Sequence, residues 1–327
     1  MKITIVIPTY RRVSDLINCL QALQTQIRPA DQVIVVVRDT DNQTWDFLQG
    51  FNSQDLPLQT VTVKVPGVVA AMNAGLDAAT GDIVAFTDDD SAPHRDWFAK
   101  IEDYFLSDSH IGGVGGKDWQ YVNGKIKEPG EREIVGKLQW CGRVIGNHHL
   151  GVGTVREVDV LKGVNMAFRR SAIAGMHFDE RMLGTGAQVH FELAFSLKLK
   201  HRGWKLIYDP AIAVDHFPAQ RFDEDQRDSF NQLALTNAVH NETLALLEYL
   251  SPLRQLVFIL WAVFIGTRDA FGLLQVLRLY PKQGNIVWRK WLASLQGRWQ
   301  GWQTYHEGSK NPELPLLTAE EGLRSKS

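Results

Sequence analysis

The chain has 327 residues, of which 44% are apolar and 22% charged, with two cysteines and a formal net charge of −2. That length supports one large domain or a domain with an appendage, the composition excludes wholesale disorder, and the near-neutral charge gives no global argument for nucleic-acid binding. Cys19 and Cys141 form no metal-ligand or redox spacing, and the apolar run of "MKITIVIPTYRR" is too short, and too soon interrupted by Pro8, for a signal peptide, so a cytoplasmic, reducing location is expected.

Strand and helix patterns alternate through the first hundred residues. "ITIVIPTY" predicts a buried strand, and "VSDLINCLQALQTQ" sets Val13, Leu16, Ile17, Leu20 and Leu23 on one helical face, with Cys19 on its apolar side. "QVIVVVRD" predicts a second strand, followed by a short helix near Trp45–Phe51 and a third strand in "LQTVTVKV". "VVAAMNAGLDAAT" predicts a helix closed by Gly81, and "DIVAFTD" the fourth strand. The order implies an α/β fold, a mainly parallel sheet flanked by helices, in which ligands bind at the carboxyl ends of the strands.

Beyond residue 110 glycines crowd "IGGVGGKDW" and "CGRVIGNHHLGVG", with short strands expected in "VREVDVLKG" and "NMAFRR". "HFELAFSLKLKHRG" predicts a helix with a glycine stop, and "WKLIYDPAIAVDHF" a strand. The expected organisation is a catalytic domain over 1–240, a helical extension over 241–310 and a polar tail over 311–327.

Unusual polar residues collect on the predicted strand edge: Thr9-Tyr10-Arg11-Arg12, Arg38-Asp39 and Asp88-Asp89-Asp90. A solvated turn with a helix cap needs only one of the three aspartates. Three at a parallel-strand end fit a hard divalent cation, Mn²⁺ or Mg²⁺, which offsets their repulsion and leaves positions open for phosphate oxygens. The first strand leads into "PTYRR" rather than a glycine-rich turn, and no P-loop is present, so metal and side chains must hold the anions.

Together, "IVIPTYRR", the acid after the second strand, "MNAGLDAATGDIVAFTDDD" and "GWKLIYDPAIAVDHF" resemble an inverting glycosyltransferase of family 2 with the GT-A fold, from residue 1 to about 220. The resemblance implies a nucleotide-sugar donor, UDP- or GDP-linked, bound on the strand edge. It places Thr9, Tyr10 and Arg12 along the nucleotide, Asp39 at the base and Asn73 near the donor. Asp88 and Asp90 match the outer members of the D-x-D motif around Asp89, with Asp90 the likelier direct metal ligand, and His216 matches a histidine that approaches the metal. The catalytic carboxylate falls on Glu192, where the common Glu-Asp pair is Phe191-Glu192, so the base is one methylene longer. Arg38 and Met72 replace residues often Asp and Arg in the family. The absence of Q-x-x-R-W after the base implies one sugar per visit, to a glycan or lipid-linked acceptor. Arg221 and Arg227, in "PAQRFDEDQRDSF", are candidates to close over the phosphates, the alternative being a solvated loop with internal ion pairs.

Residues 251–310 carry eight bases (Arg254, Arg268, Arg278, Lys282, Arg289, Lys290, Arg298, Lys310) against two acids (Asp269, Glu307), together with five tryptophans. "LVFILWAVFIG" is too short to span a bilayer, so this region either packs as core or against a second subunit, as a homodimer, or lies on a membrane surface at the inner face of the cell membrane, the reading favoured by bases mixed with tryptophans. Two other functions compete: a sugar nucleotidyltransferase, which needs a glycine-rich loop that "PTYRRVSD" lacks, and a non-catalytic assembly subunit with a degenerate donor site.

Overall fold

The computed structural model describes residues 1–310 except 53–55, 128–129 and 227–229; the expected polar tail and Arg227 lie outside the described residues. The chain begins with β1 (Ile3–Thr9), α1 (Val13–Gln24), β2 (Gln32–Arg38), α2 (Asn42–Gly50), β3 (Leu58–Val63), α3 (Val68–Ala78) and β4 (Ile83–Phe86). Next come β5 (Ser91–Pro93), α4 (Trp97–Ser107), β6 (Ile111–Val122), β7 (Lys125–Ile126), β8 (Lys137–Leu138), β9 (Val144–Ile145), β10 (Arg156–Val158) and β11 (Met166–Arg169). The rest is α5 (Phe191–His201), β12 (Lys205–His216), α6 (Gln232–Tyr249), α7 (Pro252–Phe264), α8 (Leu273–Gln283) and α9 (Ile286–Lys310).

The main sheet runs β10-β12-β6-β11-β4-β1-β2-β3, with β5 added to β12 and β7 to β6. β3, β2, β1 and β4 are parallel, β11 is reversed, β6 and β12 run parallel to each other, and β10 is reversed. The all-apolar runs in β1 and β2 follow from burial on both faces. Ile3, Ile5, Ile7, Val33, Val35 and Val37 join a core with Leu16 and Cys19 of α1 and Trp97 and Phe98 of α4. Val6, Ile34 and Val36 point the other way, toward Met72 of α3, Phe195 of α5 and Leu244 and Leu247 of α6. The helical run begins at Gln232, ahead of residue 240, and α6 and α7 share the second core with the sheet.

α3 ends at Ala78, capped by Ala79 in an extended conformation, so Gly81 is not its stop. Gly81 instead lies against β1, where a Cβ would come within 2.7 Å of Thr4 N. The glycine stop of α5 is present as Gly203, at φ 84°. The glycines of β6 have a packing cause. At the irregularity where β6 pairs with β12 between Asp209 and Ala213, a Cβ on Gly116 would sit 1.8 Å from Ile212 O and 2.6 Å from Asp209 O. Neither backbone oxygen can give way, so Gly116→Ala is expected to cost about 3 kcal/mol or more. An urea melt with an unshifted midpoint would contradict this.

Candidate active site

The ends of β1, β2 and β4 open into a cleft of about 280 Å³ lined by Thr9, Tyr10, Arg12, Asp88, Asp89, Asp90, Glu192, His216 and Arg221 among others. The aspartate turn is held from beneath: Thr87 Oγ1 lies 2.6 Å from Ser91 Oγ and donates to Val164 O at 2.8 Å, while Ser91 Oγ donates to Asp88 O at 2.9 Å. β5 then pairs antiparallel with the end of β12, in a register that sets His216 opposite Ser91. Two segments 125 residues apart in sequence are thereby locked together. The Phe217 N–H donates to Asp90 O at 2.8 Å, and the Ala219 N–H to Asp90 Oδ2 at 2.9 Å.

One ligand atom each from Asp88, Asp90 and His216 lie within 4.8 Å of one another. Asp90 Oδ1 and both ring nitrogens of His216 are buried with no hydrogen-bond partner, although His216 Nε2 stands 3.4 Å from Asp90 Oδ1 and Nδ1 3.5 Å from Asp118 Oδ2. Two carboxylates and an imidazole, of which Asp90 and His216 are buried with unsatisfied atoms and Asp88 is half-buried, fit a divalent cation. Asp118 behind His216 has the placement of a carboxylate that orients a metal-ligating histidine. It is itself fully buried, and takes Lys162 Nζ at 2.5 Å and Gln120 Nε2 at 2.8 Å.

Asp89 is not part of this trio. Arg12 Nη1 donates to its Oδ1 at 2.9 Å, and burial raises the Asp89 carboxyl to about 7 against the pull of Arg12. Burial also disfavours charge on Asp90, yet His216, the Ala219 N–H and Arg12 together bring it down to about 2. For His216 burial lowers the imidazole, but Asp118 and Asp90 outweigh it and raise the group to about 9. Without metal, a protonated His216 therefore balances the carboxylates. Its stabilisation is complete below the ordinary 6.5 and is lost as pH rises through about 9. Metal-stripped protein is expected to melt at falling temperature across that interval and His216→Asn to lose the dependence, with thermal melts at stepped pH as the check. Mn²⁺ affinity should rise over the same interval, because ligation requires the neutral ring.

Around the cations and carboxylates the cleft has an aromatic corner. Tyr10 packs edge-on to Phe222, with ring centroids 6.1 Å apart, and the Arg38 guanidinium lies 6.0 Å from the Tyr10 ring. Asp41 shapes the turn by accepting the Arg11 N–H at 2.5 Å, where Arg11 takes the left-handed φ of 58°. The loop after β12 is tied over the cleft: Arg12 Nε donates to Gln220 O, Asp223 accepts the Ala187 N–H and Glu224 accepts Thr185 Oγ1. Arg221 lines the cleft and is paired with Asp225, the internal ion pair that one of its two readings expects.

Two predicted donor residues are not brought into the lining. Asp39 sits beside the cleft, its carboxylate 3.7 Å from Arg38 Nε, and Arg38 is the lining member of that pair. Asn73 is buried on α3, and its amide is occupied by the Phe178 backbone, accepting the N–H at 2.8 Å and donating to the C=O at 3.0 Å. That bond splints α3 to the 178 segment. Met72 is core.

Glu192 is the second residue of α5, just beyond Gln188 and the N-cap His190, two non-glycine residues with positive φ of 40° and 78°. Gln188 holds that strained approach by accepting the Val69 N–H at 2.9 Å and donating to Met182 O at 2.7 Å. One carboxylate oxygen of Glu192 is buried without a partner. Glu192 also lines a second cavity of about 800 Å³, which shares Lys162, Val189 and Glu192 with the first. Its walls include His148, His149, Asn231, Glu242, Phe271 and Lys290, so the C-terminal helices build one side of it.

The family model of glycosyl transferase family 2 matches residues 4–174, just over half the chain. The chain belongs to glycosyl transferase family 2. It is 29% identical over 126 residues to the glycosyltransferase AglE of Haloferax volcanii, a match covering 37% of this chain and 41% of AglE, so it spans less than half of that relative. A longer match, 23% identical over 227 residues, covers 66% of this chain and 69% of the glucosyl-dolichyl phosphate glucuronosyltransferase of the same organism. Among solved structures the fold is shared with S. aureus TarS 1–349 in complex with UDP-GlcNAc (TM-score 0.61, 16% identity, 92% of this chain and 81% of that one). It is shared too with the mannosyltransferase PcManGT from Pyrobaculum calidifontis in complex with GDP-Man and Mn²⁺ (TM-score 0.54, 19% identity, 92% and 87%).

In this family 2 chain several lining or supporting residues escaped sequence reasoning: Asp118, Lys162, Phe222 and Asp223. Asp118 had a usable signal, an acid directly after the glycine-rich run of β6, at the same sheet edge as the aspartate triplet. Lys162 and Phe222 had none, because only the folded chain brings those loops to the cleft.

Proposed function

We propose that this chain is a metal-dependent, inverting, non-processive glycosyltransferase that moves one sugar from a UDP- or GDP-sugar to a hydroxyl of a glycan or lipid-linked acceptor, in polysaccharide or glycolipid synthesis at the inner surface of a cell membrane. The observation that carries it is Glu192, which belongs at once to the cleft holding the Asp88/Asp90/His216 cluster and to a second cavity large enough for an acceptor. In that arrangement a donor and an acceptor meet at one carboxylate.

A divalent cation held by Asp88, Asp90 and His216 would supply Lewis-acid stabilisation of the charge that develops on the departing diphosphate. The imidazole in the set favours Mn²⁺ over Mg²⁺. Tyr10, Phe222 and Arg38 offer a surface on which a nucleobase can stack, and Arg12 and Arg221 add positive charge beside the phosphates. Glu192 takes the proton of the acceptor hydroxyl as that oxygen attacks the anomeric carbon from the side opposite the leaving group, which inverts the configuration.

Calorimetry with UDP and GDP, each with and without Mn²⁺, tests the reading. Metal-dependent binding of one nucleotide supports it and identifies the base. Binding of neither would overturn the donor site and leave the non-catalytic assembly role as the better account.

A further inference from the structure

We propose that the outer face of α7 and α8 lies on an anionic lipid surface, an inference that rests on the membrane-surface part of the reading above and assigns it to residues. Among the described residues of α7 only Phe258 and Ala262 are buried. Leu253, Leu256, Leu260 and Phe264, spaced by three, four and four, stand 63%, 58%, 49% and 55% exposed. That spacing puts them on one stripe of the helix. On α8 Leu274 and Leu277 are 50% and 64% exposed, and Arg278 and Lys282, also exposed, follow within two turns. Scattered apolar residues on a protein surface need no explanation, but apolar stripes on two successive helices, joined by a tight turn that the Gly266–Phe271 bridge closes, do.

Charge decides between the occupants. α7 and α8 carry the bases Arg254, Arg278 and Lys282 and no acid, with Arg278 and Lys282 exposed, whereas Arg298 of the following helix is buried against Glu242. A two-fold dimer would set that face against itself, basic against basic. Anionic headgroups complement it, with the leucines and Phe264 entering the acyl boundary. No helix among the described residues is long and apolar enough to cross a membrane, so the helices would lie in the interface rather than span it. The turn between them, Thr267 to Phe271, also lines the second cavity. Docking therefore sets that cavity's wall at the lipid surface, where a lipid-linked acceptor is presented.

Flotation of the full chain with vesicles tests this, using phosphatidylcholine alone and phosphatidylcholine containing phosphatidylglycerol. Wild type should float with the anionic vesicles, less so at high salt, and weakly with the neutral ones. The pair Leu256→Glu/Leu277→Glu, at exposed positions that leave the core intact, should reduce flotation about tenfold or more, and Arg278→Glu/Lys282→Glu should abolish the preference for the anionic lipid. Wild type remaining unbound to both vesicles, variants floating as wild type does, or a lipid-free dimer by light scattering that Leu256→Glu dissociates would each overturn the proposal. Nucleotide calorimetry on the same preparations separates the two readings: a chain that binds nucleotide but no vesicle fails here alone, and a chain that floats but binds neither UDP nor GDP fails as a transferase while its lipid face stands.

Discussion

Asp90→Ala is expected to abolish Mn²⁺-dependent nucleotide binding and to lower sugar transfer by about a thousandfold or more. Asp90 is the member of the cluster with most at stake in the local structure. Its Oδ1 is buried and without a hydrogen-bond partner, while Oδ2 takes the Ala219 N–H and its backbone C=O takes the Phe217 N–H. Removing the carboxylate thus deletes a proposed ligand and loosens the loop that carries Arg221. The isosteric Asp90→Asn separates these effects, since the side-chain oxygen can still accept the Ala219 N–H while the charge is gone. If the loss is one of metal binding, the Asn variant falls as far as the Ala variant in turnover but melts closer to wild type. The imidazole of His216, deprived of Asp90, should then titrate below about 9, closer to its ordinary value, which NMR of the ring protons would detect. Retained Mn²⁺-dependent binding in both variants would mean that the cation, if any, sits elsewhere.

Glu192→Gln is expected to cost about 10²–10⁴ in kcat with nucleotide affinity unchanged, the signature of a lost general base rather than a lost binding contact. The amide preserves shape and one acceptor oxygen but cannot take a proton. The alternative role, favourable placement of a carboxylate at the amino end of α5, would make the same change lower stability slightly and leave kcat almost alone. Steady-state kinetics and a melting curve on the one variant therefore decide between them. Glu192→Asp adds a length test. If the extra methylene spans a real gap to the acceptor oxygen, Asp restores only part of the rate, although it keeps the charge.

Several parts of this protein were legible in residue order. The strands β1 to β4, α1 and the glycine stop of α5 follow from apolar runs, period and punctuation, because each is decided by contacts within a dozen residues or by burial on both faces of one sheet. The aspartate triplet was readable for the same local reason, three adjacent carboxylates at a strand end, but its division was not: Arg12 takes Asp89, apart from the group of Asp88, Asp90 and His216. Its pairing with His216 was suggested by resemblance, and in the folded chain the β5–β12 register puts the two side by side. Asn73 shows the opposite case. Its position on α3 matches a donor residue of the family, yet the Phe178 backbone takes both ends of its amide, a partner 105 residues away that no local pattern reveals.

What the sequence by itself determined is the sheet, the family and the chemical character of its carboxyl edge, since those rest on short-range pattern and on residue type. What only the tertiary structure decided is which groups face one another: Asp118 behind His216, Arg12 on Asp89 rather than in open solvent, Glu192 between two cavities, and the stripes of α7 and α8 left uncovered. The physical reason is that ion pairs, orphaned polar atoms and exposed faces depend on which segments, many tens of residues apart, the fold brings together, and composition carries no record of that distance.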